Sequence, residues 1–139
     1  MVLPCCLLDF PNGIYYDKEN KSVVFATERT LWEKYLSVLK RSRLFAGITE
    51  SEITAMLQCL SAAVRIYDKG DCVLRRGETV SSVAMLLEGS IHIQKEDYWG
   101  NLSILSEIAP GEIFGEVYAC LGNEEMLNSA VAVQTSRVL

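Results

Sequence analysis

The spacing of apolar residues along this chain changes once, near Ala63. From Leu31 to Leu44 the apolar residues Leu31, Trp32, Tyr35, Leu36 and Leu39 recur in steps of three and four, with Leu44 five positions further on. Glu33, Lys34, Lys40 and Arg41 stand between them, which predicts an amphipathic helix ending before Gly47. Thr49-Glu50-Ser51-Glu52 then reads as a capping box, the Thr49 hydroxyl accepting from the amide three residues on while Glu52 reaches back. Ile53, Met56, Leu57 and Leu60 follow at i, i+3, i+4 and i+7, the pattern of a second helix.

Beyond Ala63 the period falls to two and glycines punctuate the chain at Gly70, Gly77, Gly89, Gly100, Gly111, Gly115 and Gly122. Short strands separated by tight turns are expected over 64–67, 72–75, 83–87, 91–94, 102–108 and 129–134. Such a run behind two helices predicts a mainly β domain, a sandwich or barrel with the helices over one end or face. Ser136-Arg137-Val138-Leu139 reads as a further strand cut short, so the expectation is a domain incomplete at its C-terminus.

The first thirty residues follow neither pattern. A Pro11-Asn12-Gly13 turn signal precedes Ile14-Tyr15-Tyr16, a polar stretch and Val23-Val24-Phe25, which predicts a hairpin or a partly disordered extension. A lone hairpin is marginal in water, so order there requires docking on something else. Residues 1–30 are accordingly an N-terminal extension and 31–139 a single domain.

Composition narrows the function. With 50% hydrophobic and 22% charged residues the chain can bury a core. Its net charge of −5 argues against a surface that lies along a phosphate backbone. Cys5, Cys6, Cys59, Cys72 and Cys120 are odd in number and irregular in spacing, giving neither a disulfide framework nor a zinc site. The apolar run Val2–Leu8 is too short to cross a bilayer and lacks the basic flank of a secretory signal, so a cytoplasmic, membrane-free protein is expected.

From Leu44 to Leu139 the order of motifs resembles the effector domain of the bacterial Crp/Fnr regulators. The matching segments are LFAGITESEI, YDKGDCVLRRGE, VAMLLEGSIHI and LSEIAPGEIFGEV. The resemblance implies a double-stranded β-helix, the cyclic-nucleotide-binding-like β-roll or jelly roll, whose interior receives a small-molecule effector. It also implies that a dimer helix and a winged helix-turn-helix follow, so that the full-length protein is a homodimer and reaches DNA only through that C-terminal part.

Cyclic-nucleotide binders of this family carry a Gly-Glu pair, whose Glu takes a ribose hydroxyl, and further along an Arg-Ser or Arg-Thr pair that holds the cyclic phosphate. The resemblance places the candidate effector site at Gly115, Glu116 and Val117 with Asn128, Ser129 and Ala130. Asn128 stands where binders have Arg, and it lacks the charge and the guanidinium fork that suit phosphate. Losing such a contact costs about 2–5 kcal/mol, at roughly 1.4 kcal/mol per tenfold in affinity. On this reading cyclic AMP binds no better than about millimolar, Asn128→Arg recovers it, and no cofactor is expected. Glu116 has an alternative role capping backbone amides, and Gly111 and Gly115 serve turn geometry.

Other residues add less. His92 alternates with Ile91 and Ile93 as a strand residue rather than a haem ligand, Cys120 reads as a buried thiol, and Cys5-Cys6 lacks iron–sulfur spacing. Tyr98 and Trp99 fall in a polar hairpin tip, either a contact surface or an exposed loop. Two other functions compete. A cyclic-nucleotide regulatory module of a kinase or channel again wants the missing Arg. A cupin-type metal enzyme needs two or three histidines, and the chain has one, so the sequence reads as non-catalytic.

The charge balance makes a direct prediction. In a gel-shift assay at low salt the chain leaves random duplex DNA unshifted, because acidic surface repels phosphate. Tight, salt-sensitive binding contradicts this.

Overall fold

The computed structural model describes residues 7–10, 14–17, 22–25 and 28–139, with side chains from residue 32 onward. Cys5, Cys6 and the Pro11-Asn12-Gly13 signal lie outside the described residues. The chain divides into two compact units, Met1–Ile66 and Tyr67–Leu139.

In the first unit strands β1 (Leu7–Phe10), β2 (Ile14–Asp17) and β3 (Ser22–Phe25) pair antiparallel, with Ile14 opposite Phe25 and Phe10 opposite Ile14. The two β-prone runs thus form the hairpin strands, and β1 adds a third that the apolar pattern did not announce. The hairpin does not stand alone: Ser22 and Val23 pair with Arg65 and Val64 of β4 (Val64–Tyr67). That supplies the docking which an isolated pair of strands lacks.

Helix α1 (Glu28–Arg41) buries Trp32, Tyr35 and Leu39 along one stripe. Leu44, expected on the same stripe, is 52% exposed. The helix has ended by then, because the Ser42 hydroxyl accepts from the Leu44 amide at 3.3 Å and opens a 3-10 turn over Arg43–Phe45 that buries Phe45 instead. Helix α2 (Glu50–Cys59) has the predicted capping box: the Glu52 amide donates to Thr49 Oγ1 at 3.4 Å, and the Thr49 amide donates to Glu52 Oε2 at 2.9 Å. The Thr49 hydroxyl, followed by its amide, holds the Glu52 carboxyl below the usual glutamate range. Ile53 and Leu57 are buried one turn apart, whereas Met56 and Leu60 are exposed. The buried stripe is therefore narrower than the apolar periodicity suggests.

The second unit is a jelly-roll-like pair of layers. Strands β5 (Cys72–Leu74), β10 (Ser129–Ala132), β7 (Ile91–Glu96) and β8 (Leu102–Ile108) form an antiparallel sheet in that order. Strand β6 (Ala84–Glu88) pairs on one side with β9 (Ile113–Phe114) and on the other with β11 (Ser136–Val138). Leu86, Ile91, Phe114, Ala130 and Val138 make one buried cluster, so both layers contribute to a common core. Full burial of a Leu, Ile or Phe side chain is worth about 1.5–3 kcal/mol, so this cluster stabilises the packing of the layers.

One close approach governs how the layers meet. Gly89, in the turn between β6 and β7, has φ +102°, and a Cβ built there would lie 2.7 Å from Ser136 Cα and 2.3 Å from Ser136 Oγ. Ser136 is fully buried, and its hydroxyl accepts from the Ser90 amide at 3.3 Å and lies 2.8 Å from the Gln134 carbonyl, to which it donates. Gly89→Ala combines a left-handed backbone with an overlap against main chain that cannot swing aside, and it costs about 3 kcal/mol or more. Urea unfolding measures this directly, and a loss under about 1 kcal/mol contradicts the packing.

Candidate effector site

The Gly115-Glu116 cassette opens helix α3 (Glu116–Leu121) directly after β9. Gly115 caps the helix at φ +78°, a conformation that glycine reaches without steric cost. A Cβ on Gly115 would come within 2.9 Å of Leu74 Cδ1 and 3.9 Å of Val80 Cγ1, so the cassette backbone packs onto side chains next to the core. Gly115 thus serves close approach and turn geometry.

Glu116 does not cap the helix. The residue is half-buried, and among the described residues its carboxylate has no hydrogen-bond or ion-pair partner. Val117 beside it is 59% exposed. The tight-turn carboxylate that does bind amides is Glu112, which accepts from the Ala109 amide at 2.8 Å.

Asn128 precedes strand β10, and Ser129 and Ala130 open it. Ser129 lies opposite Gln94, and Ala130 opposite Ile93. Alternate strand residues face opposite sides of a sheet, so Ala130 enters the core while Ser129 faces away from it. The Ser129 hydroxyl is engaged there, accepting from the Arg76 amide at 3.0 Å. The Arg76 guanidinium reaches past it to the Glu96 carbonyl at 3.0 Å. Asn128 is half-buried without a hydrogen-bond partner among the described residues.

The segment that does meet α3 lies two residues earlier. Tyr118 Oη accepts from the Leu127 amide at 3.3 Å. Met126, next to it, exchanges main-chain hydrogen bonds with the 77–78 turn, its amide donating to the Glu78 carbonyl and its carbonyl accepting from Gly77, both at 2.9 Å. Thr79 bridges Glu125, and the following Val80 is the residue that approaches Gly115. Met126 is therefore held between two segments that each touch the cassette, and it is 4% exposed. Sequence reading passed it over because methionine carries no chemistry and its burial depends on pairing with residues far away in the chain.

His92 is a half-buried strand residue opposite Glu107 and Val131, on the face away from the core. Cys120, expected to be buried, is exposed on the short helix α3. At the β7–β8 hairpin tip Tyr98 and Trp99 are 95% and 82% exposed and meet edge to face at 6.0 Å between centroids. A register shift in the ladder leaves Leu105 without a partner and sets Ile104 and Leu102 opposite Gln94 and Glu96 on the outer face, where they are exposed.

The family model of the cyclic nucleotide-binding domain matches residues 64–139. The chain belongs to this family. It is 28% identical over 97 residues to human cGMP-dependent protein kinase 2, covering 69% of this chain and 12% of that protein. It is likewise 28% identical over 101 residues to the cyclic AMP receptor protein of Thermus thermophilus, covering 73% of this chain and 45% of that protein. The chain thus spans less than half the length of the curated relatives it matches. Among solved structures, the sensor domain of the transcriptional regulator DNR from Pseudomonas aeruginosa superposes with a TM-score of 0.66 at 22% identity. It covers 78% of this chain and 71% of that one, a likeness of fold. The family domain is thus a regulatory one, and Crp/Fnr-type regulators stand among its neighbours. No helix among the described residues is long and apolar enough to cross a membrane.

The hairpin tip supplies a pH prediction. Asp97 accepts from the amides of Trp99 and Asn101 and from the Asn101 side chain, each at 2.9 Å, and these bonds, the Asn101 side chain first, hold its carboxyl below the usual aspartate range. A folded-state pKa lowered in this way means that the stabilisation is present at neutral pH and is lost as pH falls through the folded value. Amide NMR signals of Trp99 and Asn101 are expected to shift with a midpoint below about 3.9, the ordinary aspartate value, and Asp97→Asn removes that transition. A midpoint at or above the ordinary value contradicts the geometry.

Proposed function

We propose that this is the effector-sensing domain of a Crp/Fnr-type bacterial transcription regulator, a non-catalytic cytoplasmic module that binds a small molecule other than a conventional cyclic nucleotide. Binding controls DNA attachment by a C-terminal part of a homodimer. The observation that carries this reading is the cassette itself. A family Gly-Glu pair opens α3 with a half-buried residue whose carboxylate is unpartnered, while no charged side chain is buried among the described residues. A site for a cyclic phosphate wants a desolvated cation, and the one neighbouring guanidinium with a fixed partner, Arg76, is spent on the Glu96 carbonyl. The similarity to the cyclic AMP receptor protein over almost half of that protein's length supports the regulator context.

The similarity to cGMP-dependent protein kinase 2 favours a second reading, a regulatory module attached to a signalling enzyme. Reading the gene past the codon for Leu139 separates the two. A long amphipathic helix followed by a helix-turn-helix is the expected result. A kinase segment, a channel segment or an immediate stop codon contradicts the regulator.

A further inference from the structure

We propose that the free edge of β8 is a self-association surface, on which a second copy of this chain adds its own β8 antiparallel about a two-fold axis at Ser103. Neither the effector nor the cassette enters this inference. Strand β8 ends the order β5-β10-β7-β8, so one of its sides meets β7 and the other meets no strand among the described residues. Such an edge presents a row of unpaired amides and carbonyls, which proteins ordinarily blunt with charge, proline or a bulge. The strand Leu102–Ile108 contains no proline, and its single charged residue, Glu107, is engaged by the Ser90 hydroxyl at 2.7 Å. The bulge falls at Leu105, which leaves Leu102, Ser103 and Ile104 in regular register with Glu96, Lys95 and Gln94.

The hairpin turn fixes which main-chain groups face outward. The Asp97 amide donates to the Asn101 carbonyl at 3.0 Å, and the Asn101 amide turns inward to Asp97 Oδ1 at 2.9 Å. Direction alternates along an antiparallel ladder, so Ser103 again faces β7, while the amides and carbonyls of Leu102 and Ile104 face the open edge. A two-fold axis at Ser103 sets Leu102 of each copy opposite Ile104 of the other, and each such pair then exchanges both of its main-chain hydrogen bonds. Their side chains meet apolar against apolar, and no charge opposes a like charge. Leu102 is 66% exposed and Ile104 60%, and Tyr98 and Trp99 before them are more exposed still. With Leu105 these side chains offer roughly 500 Å² per copy. About 1,000 Å² in total suits a reversible interface rather than a permanent one. A second copy is the partner because the register is self-complementary, whereas Glu96 and Asp97 beside the edge repel nucleic acid and anionic lipid. The net charge of −5 on each copy also opposes pairing, so salt strengthens it.

Sedimentation equilibrium of the 139-residue chain, with reductant present to exclude disulfide dimers, tests this. A reversible dimer is expected, with a dissociation constant below about 500 µM at roughly 0.5 M salt and weaker pairing at low salt. A chain that stays monomeric, or pairs more weakly than that, overturns the proposal. Hydrogen exchange over the same concentration range locates the contact. The amides of Leu102 and Ile104 are expected to slow as the dimer forms while that of Ser103, already paired to β7, is unchanged; slowing confined to other residues overturns the edge. Ile104→Lys and Leu102→Glu lie at exposed positions, with circular dichroism to confirm folding, and each is expected to weaken the dimer about tenfold or more. An equimolar mixture of the two variants is expected to recover association, because the mixed pair keeps one Leu–Ile contact and gains one opposite-charge pair. A dimer that neither substitution weakens, or a mixture that recovers nothing, overturns the register.

Discussion

The second unit depends on a contact that exists because one side chain is missing. Gly89 lets the turn between β6 and β7 press against the main chain of Ser136, leaving no room for a Cβ. Ser136 answers with its hydroxyl, which joins the Ser90 amide in a site closed to water. The contact links 89–90 to 136, and with it the β6–β7 turn to the start of β11, before any hydrophobic burial is considered. Close packing then follows, since Leu86 and Ile91 on either side of that turn share the core with Val138.

That linkage has a consequence for the site. With β7 and β11 held, β10 pairs along β7 in the register that sets Ala130 opposite Ile93 and Ala132 opposite Ile91, both alanines buried. Side chains alternate across a strand, so the same register turns Ser129 outward, where the Arg76 amide takes it up. A slip of one residue would put a hydroxyl inside and an alanine outside. The register along β7 thus decides that Ser129 faces away from the core.

Local signals were legible in the residues. The capping box at Thr49–Glu52, the α1 stripe through Trp32, Tyr35 and Leu39, and the period-two strands after Ala63 all involve neighbours within a turn or a pleat, whereas the jelly roll itself came from the family resemblance and not from spacing. The Gly115 turn was legible for the same reason. What spacing could not supply were bonds across long loops. The Arg76–Ser129 bond joins residues 53 apart, and the Gly77–Met126 ladder is similarly remote. Hence the burial of Met126 against the 77–78 turn could not be read from spacing. Leu44 and Cys120 misled in another way: Leu44 was placed by apolar spacing and Cys120 by residue type, and the 3-10 turn at Arg43–Phe45 and the exposed end of α3 override both.

At the centre of this account is the outward face of β10, where the serine hydroxyl accepts from the Arg76 amide. Amide hydrogen exchange at Arg76, compared between the unmodified chain and Ser129→Ala, tests that arrangement most directly. The account predicts a protected Arg76 amide that exchanges freely once the hydroxyl is removed, while the Ala132 and Met126 amides, whose acceptors are main-chain carbonyls, keep their protection. An Arg76 amide that exchanges equally fast in both proteins would contradict it.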